Sequence, residues 1–125
     1  MNISKNFDFL QRDFPIVAES ATKAEMLINI DPRSSIFRIR HALETVVIRV
    51  FKLDKDLKTP DVQQLSHYVA DEKFKEIVDE AVWNKIELLR NDGNKAVHRK
   101  NNPPTDQALG LIEELFQVLY WVGSR

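Results

Sequence analysis

The residues best suited to chemistry are crowded into one segment, from Arg90 to Lys100. Guanidinium and ammonium groups bind phosphates, amides donate and accept hydrogen bonds, and a histidine can act as a general base or acid. The segment therefore offers candidate contacts to a nucleic acid or to a partner protein. The candidate residues are Arg90, Asn94, Lys95, His98, Arg99 and Lys100.

The same segment also has a purely structural interpretation. Asn91-Asp92-Gly93-Asn94 is typical of a helix end, because glycine adopts a left-handed conformation at little cost. Cations near the last carbonyl groups of a helix complement its dipole. The spacing alone favours this structural role, so no catalytic residue is expected in the segment on that basis, and both interpretations stay open.

A second charged group lies on the predicted second helix. Arg40 and Glu44 are four residues apart, so they can pair on one helical face. They form either a solvated stripe or part of a buried network, in which each charge needs a partner. In the network alternative, we expect Glu44 to reach Arg90 or His98.

Metal and nucleotide chemistry are not expected in this chain. It has no cysteine, no HExxH motif and no glycine-rich phosphate loop. Pro60-Asp61 followed by Asp71-Glu72-Lys73 matches a pattern of magnesium-dependent nucleases. That site is built on β-strands, whereas Pro60-Asp61 is typical of a helix start. We therefore expect neither a metal nor a cofactor here.

The apolar residues repeat at helical spacing, and no segment sustains the alternation of a strand. We predict an all-α fold, a helical bundle of four main helices with one or two short helices. The second and last helices are the most apolar and should form its centre. The predicted elements are a short turn in 6–14 and helices at 14–29, 32–53, 61–69, 71–90 with a break near Asp79, and 105–123, capped by Thr105-Asp106.

Length and charge indicate one globular domain, residues 1–125. The net charge of -1 excludes a globally basic nucleic-acid binder but leaves room for a local basic patch. No apolar run is long enough for a membrane span, and the first residues lack the pattern of a signal peptide. We therefore expect a cytoplasmic protein with no membrane partner.

Three blocks and the end of the last helix resemble the helical domain of unknown function at the N-terminus of type I restriction endonuclease R subunits. The similarity extends over nearly the whole chain, and its most specific part is Arg-x-x-Gly-Asn-x-Ala-x-His. The similar segments are Asp8-Phe9-Leu10 with Phe14-Pro15, residues 31–44, residues 89–98, and Leu119-Tyr120-Trp121.

This resemblance implies a larger parent protein, an ATP-dependent DNA translocase with a magnesium-dependent nuclease. The motor and nuclease motifs are absent from this chain. The resemblance therefore implies a non-catalytic accessory module, with ATP and magnesium needed only by the parent. Its implied partners are the remaining domains of the R subunit, the modification and specificity subunits, and DNA as a further option.

The chain also resembles HEPN helical bundles, several of which are ribonucleases. Their motif is an arginine, four to six residues, and then a histidine ahead of the last helix. Here seven residues separate Arg90 from His98. The alternative implied by this resemblance is a metal-independent ribonuclease, in which Arg90 stabilises phosphate charge and His98 moves the proton of a 2′-hydroxyl, in a site formed across a dimer.

Overall fold

The computed structural model describes residues 2–125, and every regular element in that range is helical, which confirms the all-α prediction. Four long helices and two short ones follow a 3₁₀ turn. No helix in the described range is both long enough and apolar enough to cross a bilayer. The elements are the 3₁₀ turn at Asp8–Leu10, α1 at Pro15–Leu27, α2 at Pro32–Leu53, α3 at Leu65–Ala70, α4 at Glu72–Ile77, α5 at Glu80–Val97 and α6 at Thr105–Gly123.

Aspartates cap three of these helices. Oδ1 of Asp31 accepts a hydrogen bond from the backbone N–H of Ser34 (3.2 Å), and Asp71 and Asp79 cap α4 and α5 in the same way. The predicted break near Asp79 is confirmed. One predicted start was wrong, because α3 begins at Leu65 rather than at Asp61. The start of α6 at Thr105 is confirmed, but the predicted cap by Thr105-Asp106 was wrong, since Pro104 precedes the helix and no side chain caps it.

The four long helices alternate in direction, and α2 packs against α1, α5 and α6. Alanines on α1 are fully buried, so its backbone approaches α2 closely. Two serine hydroxyls join this pair, from Ser35 Oγ to the carbonyl of Ala24 (2.7 Å) and from Ser20 Oγ to that of Arg38 (3.1 Å). The central position predicted for α2 is thereby confirmed.

The short helices α3 and α4 cover the far end of α2. The ring of Phe51 stacks on Phe74 at 5.4 Å and meets the edge of Tyr68 at 4.9 Å. The indole N–H of Trp83 on α5 donates to the carbonyl of Val69 at 3.0 Å. These contacts attach the long connection between α2 and α5 to the core.

The predicted helix end at residues 91–94 was wrong, because α5 continues without interruption to Val97. Gly93 is buried about one turn before the end of α5, and its φ is negative. A Cβ atom at this position would lie 2.9 Å from Cγ of Arg40 and 3.3 Å from its Cδ. The glycine therefore allows α2 and α5 to approach closely and does not terminate a helix.

Candidate functional site

The site is built on the first turn of α2. Besides capping the backbone, Asp31 accepts a hydrogen bond from the hydroxyl of Ser34 through Oδ2 (2.6 Å). The hydroxyl and then the backbone N–H of Ser34 lower the pKa of Asp31 below its ordinary value. Pro32 at the first helical position has a φ that already suits the helix, so the backbone from which the Arg33 side chain extends is well defined.

Arg33 joins this turn to the loop between α5 and α6. Its Nη2 donates to the carbonyl of Arg99 at 2.6 Å and to that of Asn101 at 2.7 Å. Hydrogen bonds from a charged donor are stronger than neutral ones, so these two hold the loop firmly. Nε of Arg33 is buried and has no hydrogen-bond partner within residues 2–125.

Arg40 lies two helical turns further along α2 and contacts α5. Its Nη2 donates to Oδ1 of Asn94 at 3.3 Å, and its aliphatic stem covers Gly93. The predicted pair with Glu44 is not among the ion pairs of the described residues, and Glu44 is exposed. The cross-helix contact takes the place of the predicted pair within α2.

Three further cations complete what we call the basic surface: Arg33, Arg40, Lys95, Arg99 and Lys100. Lys95 is exposed in the last turn of α5, and Arg99 and Lys100 are exposed in the loop. None of the three forms an ion pair within residues 2–125; Arg99 only donates to the amide oxygen of Gln107 at 3.4 Å. Their charge is therefore free to meet an anion.

Arg90 does not belong to this surface, because Glu87 binds it one turn earlier on α5. Nε and Nη2 of Arg90 donate to the two carboxylate oxygens of Glu87 at 2.9 and 3.2 Å. This pairing raises the pKa of Arg90 above its ordinary value. The exposed His98 follows the last residue of α5, a rise of about 12 Å along the helix axis from Arg90. Glu44 is not paired with either residue, contrary to the network alternative.

Residues 22–123 match the model of a protein family described as Domain of unknown function (DUF4145). The chain belongs to the DUF4145 family. The matched range contains the whole basic surface together with Arg90, Asn94 and His98. None of the curated proteins and none of the solved structures compared with the chain matches it.

Two residues of the DUF4145 domain belong to this site although no local sequence motif marks them. Arg33 is the anchor of the loop, and the ring of Phe37, an apolar residue of α2, is 58% exposed. Residues 33, 37 and 40 lie on one stripe of α2, so the exposed ring is placed between the two arginines on that face. The spacing Arg-x-x-x-Phe-x-x-Arg was the available signal.

The DUF4145 domain shows no cluster of three or more His, Cys, Asp or Glu side chains arranged for a metal ion within residues 2–125. The aspartates of the nuclease-like pattern have other positions: Asp71 caps α4, and Asp61 is exposed ahead of α3. The side chains of the basic surface are suited to binding phosphate groups, and the exposed ring of Phe37 lies beside them.

Proposed function

We propose that this chain is a non-catalytic accessory module of a type I restriction enzyme R subunit, and that its basic surface contacts DNA phosphates. The observation that supports the proposal is that Arg33 and Arg40 of α2 contact the cationic end of α5 and the loop after it. Both segments are among those that resemble R subunits. In this role the module acts in the cytoplasm, beside the motor and nuclease domains of its parent and the modification and specificity subunits.

The geometry suits phosphate contact better than base recognition. The cations are spread over the first part of α2, the last turn of α5 and the following loop, rather than along one helix that could enter a groove. Contacts to phosphates position a protein on DNA but carry no sequence information. Contacts of this kind suit a module whose parent complex obtains its target specificity from another subunit.

The test is the salt dependence of DNA binding. Fluorescence anisotropy with a labelled duplex is expected to give an affinity in the non-specific range, with Kd of about 10⁻⁴ to 10⁻⁶ M. The logarithm of the binding constant should fall linearly with the logarithm of salt concentration. The double variant Lys95→Gln/Lys100→Gln should reduce the slope by about 2.

Lys55→Gln/Lys58→Gln is the matched control, because these lysines are exposed in the connection after α2. The control should bind DNA as the unmodified chain does. Equal slopes for the two double variants, or binding that ignores salt, would refute the phosphate contact. ATP hydrolysis by the purified chain would refute the non-catalytic role.

The HEPN-type ribonuclease is the alternative, and the Arg90–Glu87 pair weighs against it. One edge of the Arg90 guanidinium is already bound by the Glu87 carboxylate, whose negative charge also opposes the approach of a phosphate. The alternative requires RNA cleavage without added metal that disappears in both Arg90→Ala and His98→Ala. Intact RNA after long incubation with the unmodified chain would dismiss it.

A further inference from the structure

A second surface, unrelated to the basic one, runs along the outward face of α6. Leu109, Phe116 and Tyr120 are 46%, 37% and 59% exposed and follow one stripe of the helix. Phe9 from the 3₁₀ turn extends the stripe, with its ring 6.1 Å from that of Phe116 and 5.9 Å from that of Tyr120. Exposed aromatic side chains gathered in this way are typical of protein interfaces.

The stripe borders a cleft of about 420 Å³ between α6 and the N-terminal segment. Phe7 and Ile112 form its apolar floor and are almost fully buried. We call the stripe and this cleft together the α6 groove. From Leu109 to Tyr120 it follows about 16 Å of helix axis, the length of about three turns of a second helix.

The rim of the α6 groove is acidic. Glu25 is fixed there by hydrogen bonds from Ser4 Oγ at 2.6 Å and Asn6 Nδ2 at 2.7 Å, and Glu113 is exposed. Neither carboxylate forms an ion pair with a side chain of residues 2–125, and no cationic side chain lines the cleft. An occupant that brings cations to this rim gains electrostatic attraction.

We propose that the α6 groove binds an amphipathic helix of another protein, with large aliphatic residues on one face and lysine or arginine beside them. A helix satisfies its own backbone hydrogen bonds, whereas a peptide that binds by strand addition needs a sheet edge, and the described residues contain no strand. A second copy of this chain would bring Glu25 and Glu113 against their own like charges, which disfavours a symmetric dimer.

The test uses two synthetic helical peptides as probes. Both carry the same leucine face; one has lysines beside it, and the other has glutamates at the same positions. Fluorescence anisotropy with the intact chain should show at least about tenfold tighter binding of the lysine peptide. Glu113→Lys should reduce this preference, because it removes one of the two rim carboxylates and adds a cation.

Leu109→Ser should weaken binding of the lysine peptide about tenfold or more. Val62→Ser is the matched control, since Val62 is equally exposed, at 46%, and lies outside the groove. Circular dichroism melting confirms that both variants fold. Lys95→Gln/Lys100→Gln should leave peptide binding unchanged, which separates this inference from the proposed DNA contact.

Three results would overturn the inference. The first is equal binding of the two peptides, including no binding of either. The second is an equal loss of affinity in Val62→Ser and Leu109→Ser. The third is self-association of the free chain in sedimentation that Leu109→Ser abolishes, because the occupant would then be a second copy.

Discussion

Alanine at position 93 should have opposite effects on stability depending on the residue at position 40. In a helix interior, alanine is favoured over glycine by about 1 kcal/mol. The added methyl group, however, would lie 2.9 Å from Cγ of Arg40. Overpacking of this kind costs about 1–3 kcal/mol. Gly93→Ala alone is therefore expected to lower the free energy of unfolding by about 0–2 kcal/mol, the difference between these two effects.

The double variant Gly93→Ala/Arg40→Ala removes the atoms that the methyl group would meet. The next neighbour, Cγ2 of Ile36, lies at 3.9 Å, an ordinary contact distance. In this background only the helix preference remains, so Gly93→Ala should raise the free energy of unfolding by about 1 kcal/mol. The interaction energy between the two positions is then about 1–3 kcal/mol, which is the overpacking cost itself.

Urea unfolding of the four chains, followed by circular dichroism, measures this cycle, provided that the slopes with denaturant agree. Equal effects of Gly93→Ala in both backgrounds, within about 0.5 kcal/mol, would refute the close-packing argument. A large loss of stability in both backgrounds would instead support a glycine that ends the helix. Since Arg40 belongs to the basic surface, Gly93→Ala should also weaken DNA binding.

Three further predictions concern the core, the cap and the loop. Leu43→Ala and Leu115→Ala each remove a side chain that is 0% exposed and should each cost about 2–5 kcal/mol in urea unfolding; a cost below about 1 kcal/mol would contradict their placement. The lowered pKa of Asp31 means that its stabilising contribution is present above the unfolded pKa and is lost as the pH falls through the folded value. Asp31→Asn should therefore melt below the unmodified chain at neutral pH and alongside it in acid, and a gap that persists in acid would contradict the charge argument. Arg33→Lys should speed amide hydrogen exchange in residues 98–102, because a lysine ammonium lacks the fixed, planar N–H directions with which Nη2 of Arg33 meets both carbonyls; unchanged exchange would show that the loop does not depend on Arg33.

Features encoded by neighbouring residues could be predicted from the sequence. The apolar spacing gave the four long helices, and Asp31-Pro32 gave the start of α2 to the residue. The break before α5 was also evident, because Asp79 is an ordinary capping residue. These signals act within one or two turns, so they are readable without the fold.

Features that depend on distant residues could not be predicted. Glycine serves both helix ends and close helix contacts, and only the presence of Arg40 across from Gly93 decides between them. Arg33 binds carbonyl groups more than sixty residues further along the chain, and no local sequence pattern predicts such a contact. Phe37 is as apolar as a core residue, yet its ring is 58% exposed on the stripe of α2 that also carries Arg33 and Arg40.

The two carbonyl groups held by Arg33 tie the α1–α2 hairpin to the α5–α6 hairpin. The basic surface therefore forms only when the two hairpins have packed together, and an unfolded chain does not present it. A polyanion that recognises the basic surface binds the native state preferentially, so it should raise the melting temperature by an amount that grows with the logarithm of its concentration above Kd. Heparin or duplex DNA in a thermal-shift assay thus reports on recognition and on completed folding at once.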